Sequence, residues 1–381
     1  LVGYLKPMAL ALQDFFHGLP VDSYQFLFYF EDPEKALADK DAGGGGYGAL
    51  EHNYSSLYFL PELPSEARLK SIVNDVTSHE FLHILTPLNL HSQHIENFDY
   101  VNPKMSKHLW LYEGITEYFS NLVQWQSGII DQKTFFNNMN EKIQQAAELG
   151  DFSMTVMSEK VLEDKYQEKY GAVYNRGALL GLMLDILIRE KTQNAKDLKS
   201  VIQELAKRYG PGKPFDDDKF IAEFVQASHP DVQAFMDNHI IGDKPLPYAE
   251  YFGKLGYDYA EVKRLEVYYA GGVGLRYNEE EQRFVFAEVQ AGNVLGLQNG
   301  DVFIEIEGNK VTMDNIDEIW ENYFQMNRDK PELAIKVKRE EKEMLLKGPL
   351  RRGFVDAKNY MAPLDTLTEQ QKDLLSRLSG K

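Results

Sequence analysis

Cysteine is absent from this 381-residue sequence, so neither disulfide bonds nor thiolate metal ligands contribute to its fold or chemistry. A metal site would have to be built from His, Asp and Glu side chains. Long apolar runs are also missing, because the longest, residues 178–188, contains Asp185 and is shorter than the ~20 residues that span a bilayer. We therefore expect no transmembrane segment in this chain.

Basic residues are fewer than acidic residues. The sequence has 41 basic and 59 acidic residues, which gives a net charge of −18 at pH 7. This balance argues against nucleic acid or an anionic membrane as a partner. Hydrophobic residues, by contrast, make up 43% of the chain and aromatic residues 12%, so the chain can bury sizeable cores. Its length corresponds to roughly two or three domains of ~150 residues.

Strand and helix patterns alternate in the first sixty residues. Helical spacing in residues 6–16 is followed by aromatic strand patterns in 23–30 and 48–60, the latter read as one strand. The glycine-rich run 41–48 lacks the Gly-Lys-Ser/Thr of a phosphate-binding loop and is predicted to be an ordinary loop. Ser65 can cap a helix that ends near Pro87.

The rest of the chain changes from helical to strand-rich. Helical patterns cover residues 108–123 and most of 131–240, and short alternating strands with glycine turns follow from about residue 260. In the tail, Thr368 and Gln371 fit the capping box of a final helix. The sequence thus predicts an α+β protein with four segments: 1–128, 129–247, 260–348 and a tail, 349–381.

Residues 78–87, S-H-E-F-L-H-I-L-T-P, contain two histidines four positions apart with a glutamate after the first. At ~100° per residue, His79 and His83 project from nearly the same helix face, where two imidazoles can bind one zinc ion. Glu80 is rotated by ~100° and can reach a water on that ion and accept its proton. With 9 histidines in the chain, chance would produce this pattern only about 0.03 times. The segment predicts a Zn²⁺ site.

A third ligand is expected because a catalytic zinc keeps three protein ligands and one open position. Glu113 is the candidate, in W-L-Y-E-G-I-T-E-Y-F on the predicted second helix. Glu117, one turn further, could accept a hydrogen bond from a ligand imidazole, or could be a solvated surface carboxylate. Glu96 is a weaker rival ligand because its surroundings indicate a loop. His91 is likewise predicted to lie in a loop without a metal role, as is His94.

H-E-F-L-H followed by W-L-Y-E-G-I-T-E-Y-F resembles the gluzincins, zinc peptidases with a glutamate ligand on a downstream helix. G-A-L-E-H, residues 48–52, is similar to the exopeptidase signature of aminopeptidases in this clan, and Y-N-R-G-A-L-L, residues 174–180, looks like the segment with their transition-state tyrosine. The best match is the glycyl aminopeptidase family, which has a thermolysin-like catalytic domain and a C-terminal PDZ domain. The resemblance covers roughly residues 1–345.

This resemblance implies a site of defined composition. His79, His83 and Glu113 would bind zinc, Glu80 would be the general base, and Tyr174 would hydrogen-bond the oxyanion. The segment Gly48, Ala49 and Glu51 would bind substrate, with Glu51 at the free α-amino group. Without the resemblance, Glu51 would read as a solvent-facing strand residue and Tyr174 as a structural tyrosine.

The sequence also departs from the family pattern at several points. The interval from His83 to Glu113 is longer than in better-known aminopeptidases, and Arg176 stands where a lysine is common. The β-rich domain expected ahead of the catalytic domain is absent from this sequence.

The resemblance implies that the substrates are peptides with a free N-terminus, with small first residues such as Gly or Ala preferred. An extracytoplasmic location is favoured.

Glycine-rich motifs also mark the strand-rich part. Residues 268–277, Y-Y-A-G-G-V-G-L-R-Y, and 291–308 resemble the carboxylate-binding loop and the core of a PDZ domain, which would bind a peptide or a C-terminus by strand addition. An inert packing domain is the alternative for this part. For the whole chain, two other hypotheses remain open: a zinc endopeptidase with the same metal site, and a PDZ peptide-binding scaffold with a vestigial metal centre.

Overall fold

The structure is a computed structural model that describes residues 1–32, 47–63, 65–279 and 281–381. It divides into two compact units by its internal contacts. The first comprises Leu1–Pro64, Leu69–Tyr259 and Met361–Lys381, and the second comprises Ser65–Arg68 and Ala260–Tyr360. Residues 41–46 of the predicted glycine-rich loop lie outside the described part of the chain.

Most of the described residues before residue 260 are helical, and two of the α-helices adjoin π-helical turns. The α-helices there are α1 (Val2–Phe16), α2 (Glu66–Leu82), α3 (Gln93–Glu96), α4 (Thr116–Ser127), α5 (Gln132–Leu149), α6 (Met154–Glu159), α7 (Asp164–Gln167), α8 (Ala172–Lys191), α9 (Leu198–Arg208), α10 (Phe220–Ala227), α11 (Val232–Met236) and α12 (Tyr248–Lys254). The π-helical turns are Trp110–Ile115, directly before α4, and Asp237–Ile241, directly after α11.

A three-stranded sheet completes the first unit. It is formed by β1 (Gln25–Glu31), β2 (Gly48–His52) and β3 (Ser55–Pro61) in the order β1-β3-β2, with β1 parallel and β2 antiparallel to β3. The prediction of one strand over 48–60 was therefore wrong. The chain reverses at residues 53–54, where an asparagine suits a tight turn, and Glu51 lies opposite Ser56.

Helix α8 forms the centre of the first unit's core. It is buried on nearly every side, as expected for a helix that is apolar all round. Its one central acid, Asp185, accepts hydrogen bonds from the Tyr118 hydroxyl at 2.7 Å, from Arg189 Nε at 3.1 Å and from the backbone N–H of Leu198 at 2.9 Å. A buried carboxylate with this many donors is fully compensated. The described residues contain no helix long and apolar enough to cross a membrane.

The second unit is rich in strands, and its core is formed by side chains such as Phe286, Phe303 and Ile335. Its main sheet has the order β10-β9-β7-β6-β5, with β8 paired to β7. A separate ribbon pairs β4 with β11. The strands are β4 (Tyr257–Tyr269), β5 (Gly274–Asn278), β6 (Arg283–Ala287), β7 (Val302–Ile306), β8 (Asn309–Lys310), β9 (Glu332–Arg339), β10 (Lys342–Pro349) and β11 (Arg351–Pro363), and helix α13 (Ile316–Trp320) continues into a π-helical turn (Glu321–Gln325).

The tail returns to the first unit. Helix α14 (Glu369–Leu378) begins with the predicted capping box, in which the side chains of Thr368 and Gln371 both bond backbone N–H groups. Its residues Leu375 and Leu378 are buried in the core of the first unit. The α+β class is confirmed.

Candidate active site

Helix α2 presents the motif residues on its last turn. Arg68 N–H donates to the Ser65 hydroxyl at 3.1 Å, so the predicted cap is present. The helix itself ends at Leu82 rather than near Pro87, and His83 lies in the first of several turns. The turns are stabilised by local backbone bonds, including Leu88 N–H to the His83 carbonyl at 3.0 Å.

The three motif side chains meet in a buried cluster. One ligand-capable atom from each of His79, Glu80 and His83 lies within 4.8 Å of the others. The two imidazole rings have centroids 4.8 Å apart and are nearly perpendicular, at 84°. His83 Nδ1 donates to the Thr86 carbonyl at 3.0 Å, which fixes the ring through the nitrogen on the far side from Nε2.

Glu113 joins this cluster, as the sequence predicts. Its Oε2 atom lies 3.1 Å from His79 Nε2 and 3.6 Å from His83 Nε2, so both imidazoles and one carboxylate converge on a common point. Burial raises the pKa of Glu113, but the two histidines and a hydrogen bond from Tyr174 outweigh it and lower that pKa overall. The rival ligand Glu96 is elsewhere, paired with His91 Nε2 at 2.5 Å.

Two glycines allow Glu113 and Tyr174 to approach each other. Glu113 lies in the π-helical turn Trp110–Ile115, a backbone form that is rare and frequent at functional sites. At the following residue, a Cβ on Gly114 would lie 2.5 Å from the Cα of Gly177. The turn and helix α8 therefore contact each other backbone to backbone, and only glycine on both sides permits this.

Polar pairs align α2 with α4. Ser78 and Ser120 hydroxyls are 2.5 Å apart, and Gln124 Nε2 donates to Asp75 Oδ1 at 2.9 Å. These contacts flank the contact of His79 with Glu117. Helix α2, which carries His79, and helix α4, which follows the turn with Glu113, are thus fixed in register by hydrogen bonds as well as by packing.

Glu117 accepts a hydrogen bond from His79, the first of its two alternatives. Its Oε2 atom is 2.9 Å from His79 Nδ1, and its Oε1 atom accepts from Lys142 Nζ at 2.5 Å and from Asn121 Nδ2 at 3.2 Å. Burial raises the pKa of Glu117, but Lys142 and His79 lower it to about 2. The carboxylate is therefore ionised and fixed in orientation, and it holds the His79 ring with Nε2 toward Glu113.

Glu80 is buried without a hydrogen-bond partner for its Oε2 atom among the described residues. Burial, helped by the charges of Glu51 and Glu113, raises its pKa to about 7 against the opposing effect of His79. An orphaned carboxylate oxygen beside converging imidazoles fits a water that the structure does not contain. The set of two imidazole nitrogens, one carboxylate and one adjacent base fits a catalytic zinc ion.

Tyr174 lies over the cluster. Its ring centroid is 5.6 Å from that of His79, and its hydroxyl bonds the Glu113 carboxylate. Burial and the charge of Glu113 raise its pKa far above the ordinary value, so the phenol stays protonated. Tyr170, one turn earlier, has its hydroxyl 3.4 Å from that of Tyr174.

The segment Gly48, Ala49 and Glu51 lies on β2, at one end of the sheet order. Glu51 and Ala49 are half-buried and share a face, because they alternate with exposed residues along the strand. The charge of Glu51 raises the pKa values of Glu80 and Tyr170, so Glu51 acts electrostatically on residues around the cluster of His79, Glu80 and His83. Gly48 is exposed, and the structure gives it no contact with the cluster.

Three neighbours of the site were not predicted from the sequence. No sequence pattern singled out Tyr170, Lys142 or Tyr24. The hydroxyl of Tyr24 lies 3.4 Å from the Glu80 carbonyl oxygen. Burial raises the pKa of Tyr24 to about 12. Asn138 and Lys142 are polar residues one helical turn apart on an amphipathic helix, a pattern that indicates a shared polar face. Their partners lie on another helix, which the pattern does not identify.

Comparisons with known proteins find similarity to aminopeptidases. Residues 73–180 match the family model of the M61 glycyl aminopeptidases, a stretch that contains the candidate ligands, Glu80 and Tyr174 but not Glu51. No curated protein matches the sequence. A crystal structure of an aminopeptidase N family protein from Idiomarina loihiensis shares the fold, with a TM-score of 0.60 at 20% identity over 99% of this chain. The chain spans 65% of the length of that structure.

Another solved structure aligns with a smaller part of the chain. The PDZ domain of EpsC from Vibrio cholerae aligns with 21% of this chain and 95% of its own length at 15% identity, with a TM-score of 0.18 that supports no conclusion. The family model lies within the first unit, where the convergent histidines and glutamates lie, whereas the shared fold extends over nearly the whole chain. Residues 73–180 are thus similar in sequence to the M61 glycyl aminopeptidases, and the chain shares its fold with an aminopeptidase N family protein.

Proposed function

We propose that this chain is a zinc-dependent aminopeptidase that removes N-terminal residues, small ones such as Gly or Ala, from peptides. The observation that carries the proposal is the convergence of both imidazole Nε2 atoms on Glu113 Oε2, with the unpartnered Glu80 carboxylate beside them. His79, His83 and Glu113 would hold the ion. When bound, zinc would polarise the scissile carbonyl and acidify its water.

The chain's own residues account for the proton transfers. Glu80 takes a proton from the attacking water and later gives it to the leaving amine, a role suited to a pKa of about 7. The protonated Tyr174 donates a hydrogen bond to the carbonyl oxygen as negative charge develops there, which stabilises the transition state more than the substrate. Net reaction adds one water across the peptide bond.

Glu51 would limit cleavage to the first peptide bond. A carboxylate on the strand beside the cluster can pair with the substrate's α-ammonium group, so only peptides with a free N-terminus gain this interaction. A hydrogen bond to a charged group is worth about 1.5–3 kcal/mol. The Glu51→Gln variant should therefore lose roughly 10- to 100-fold in kcat/KM on free peptides.

The decisive experiment compares alanyl-4-nitroanilide with its N-acetylated form, using the zinc-loaded chain. Hydrolysis of the free substrate alone supports aminopeptidase action, whereas equal cleavage of the blocked substrate indicates an endopeptidase. Glu80→Gln should keep its zinc and lose hydrolysis. A zinc-loaded wild-type chain that hydrolyses neither substrate nor longer peptides would contradict the enzyme proposal and favour a peptide-binding scaffold.

The second unit is proposed to bind a peptide or a C-terminus. Strand β5 lies at the end of the main sheet order, and the glycine-containing residues 270–273 lead directly into it. An end strand can accept an added peptide strand, and backbone N–H groups of such a loop can receive a carboxylate. Isothermal titration with C-terminal peptides, free and amidated, tests this, and equal binding of both forms would exclude carboxylate capture.

A further inference from the structure

Lys142 on helix α5 is mostly shielded from solvent, and so is its partner Glu117. Its side chain is 13% exposed, that of Glu117 is 19% exposed, and Nζ lies 2.5 Å from Glu117 Oε1. Lysine is rarely buried to this degree unless its charge is paired. The other oxygen of the same carboxylate bonds His79 Nδ1 at 2.9 Å. Lys142 is thus one hydrogen-bonded group removed from a candidate zinc ligand.

Helix α5 holds Glu117 by a second route. Asn138, one turn before Lys142, donates from Nδ2 to Asn121 Oδ1 at 2.9 Å. Asn121 in turn donates from Nδ2 to Glu117 Oε1 at 3.2 Å and to the Glu117 carbonyl at 3.0 Å. Both routes end on the same oxygen, so α5 sets the orientation of the carboxylate that bonds His79.

We propose that Lys142 is a positioning residue of the metal centre: through Glu117 it fixes the His79 ring with Nε2 toward His83 and Glu113, and so strengthens zinc binding. This inference rests on the proposed function, because it takes those three residues as the ligands. The sequence indicated Glu117 as a possible partner of a ligand imidazole, but it indicated no role for α5, a helix without any candidate ligand.

Two effects of Lys142 oppose each other. Its ammonium repels a divalent cation, so removing it would tighten zinc binding if charge alone mattered. Removing it also takes away the strongest donor to Glu117 Oε1 and leaves the carboxylate, and with it the His79 ring, less constrained. Substitution of a residue that orients a metal ligand typically changes metal affinity 10- to 100-fold. We expect orientation to dominate and Lys142→Met to raise the zinc dissociation constant about 10-fold, the lower end of that range.

The experiment measures zinc affinity of the full chain by competition with a chromophoric chelator. Lys142→Met should bind about 10-fold more weakly. Lys142→Arg, which keeps the charge and the donors, should bind like wild type. Lys133→Met, at an exposed position on the first turn of the same helix, is the matched control and should also bind like wild type. Tighter or unchanged binding by Lys142→Met would overturn the proposal.

A double-mutant cycle with Glu117→Gln tests the route of the effect. If Lys142 acts through Glu117, Lys142→Met should weaken zinc binding in the wild-type background and add little in the Glu117→Gln background. Equal weakening in both backgrounds would show a general structural effect and contradict the proposal. The visible absorption of the Co²⁺-loaded chain, which reports ligand geometry, should change in Lys142→Met and not in Lys142→Arg.

Failure of this inference is distinguishable from failure of the proposed function. The readouts are metal affinity and absorption, so a chain that binds zinc but hydrolyses nothing would refute the peptidase proposal alone. A wild-type chain that binds no zinc would refute both. Should Lys142→Met not fold, Lys142→Gln, which is uncharged and still polar, replaces it under the same criteria.

Discussion

The contact between Gly114 and Gly177 predicts a strong response to a single methyl group. In Gly177→Ala the new Cβ would lie 2.5 Å from the Cα of Gly114, whereas ordinary contacts of this kind are 3.4–4 Å. The atom it meets belongs to the backbone, so no side chain can turn aside. The π-helical turn Trp110–Ile115 and helix α8 must separate by about 1 Å to accept it.

Such overpacking destabilises a fold by about 1–3 kcal/mol. Alanine's higher helix propensity offsets up to ~1 kcal/mol of this, so we expect Gly177→Ala to lower the free energy of unfolding by about 1–2 kcal/mol. The separation also moves Tyr174, three residues earlier on α8, away from Glu113. A displacement of ~1 Å at reacting groups can reduce the rate about 100-fold.

Urea unfolding of the metal-free chain and kcat/KM of the zinc-loaded chain measure the two effects. Gly171→Ala is the matched control, because it lies at the N-terminal end of the same helix and a Cβ there meets nothing within 4 Å. It should be neutral or slightly stabilising. If Gly177→Ala matches wild type in both measurements, the close backbone contact does not exist and the reasoning fails.

Three further predictions concern stability. Burial lowers the pKa of His108, whose Nδ1 accepts from Trp110 Nε1 at 3.2 Å, so the unfolded chain binds a proton at this site that the folded chain does not. Below pH ~6.5, protonation of His108 in the unfolded chain should therefore lower the free energy of unfolding by about 1.4 kcal/mol per pH unit. His108→Asn should remove that part of the pH dependence of urea unfolding. Asp185→Ala leaves the buried Arg189 with Asp197 as its remaining ion-pair partner and the Tyr118 hydroxyl without this acceptor, and should cost about 3 kcal/mol in the same assay, whereas a loss below 1 kcal/mol would contradict the network. Thr368→Ala removes a side-chain cap and should cost about 1 kcal/mol, with Thr368→Ser near wild type.

The candidate ligands could be predicted because helical periodicity links them. His79 and His83 are four residues apart, and so are Glu113 and Glu117, so helical spacing predicted that each pair shares a face. In the structure His83 lies just beyond the end of α2, and Glu113 lies in the π-helical turn before α4. That the two pairs would meet followed from the number of ligands zinc requires. The structure brings them together within hydrogen-bond distance.

Other features depend on neighbours distant in sequence, and sequence patterns could not supply them. The pairing of Lys142 with Glu117 depends on how α5 packs beside α4. The π-helical turn at Trp110–Ile115 leaves no periodic signature in six residues, and its approach to α8 becomes visible only when the two glycines face each other. The prediction of one strand over residues 48–60 missed the turn at residues 53–54, because the residues on both sides of this turn form strands.

The return of helix α14 to the first unit makes the second unit an insertion rather than an appended domain. Both covalent connections of residues 260–360 lead into the same core, one through β4 and one through β11. Deleting everything after residue 259 would thus remove Leu375 and Leu378 from the core of the first unit. Burial of each side chain contributes about 1.5–3 kcal/mol to the free energy of unfolding. A single proteolytic cut within the inserted unit would leave the tail helix folded in place, so the two fragments would remain associated until the chain is denatured.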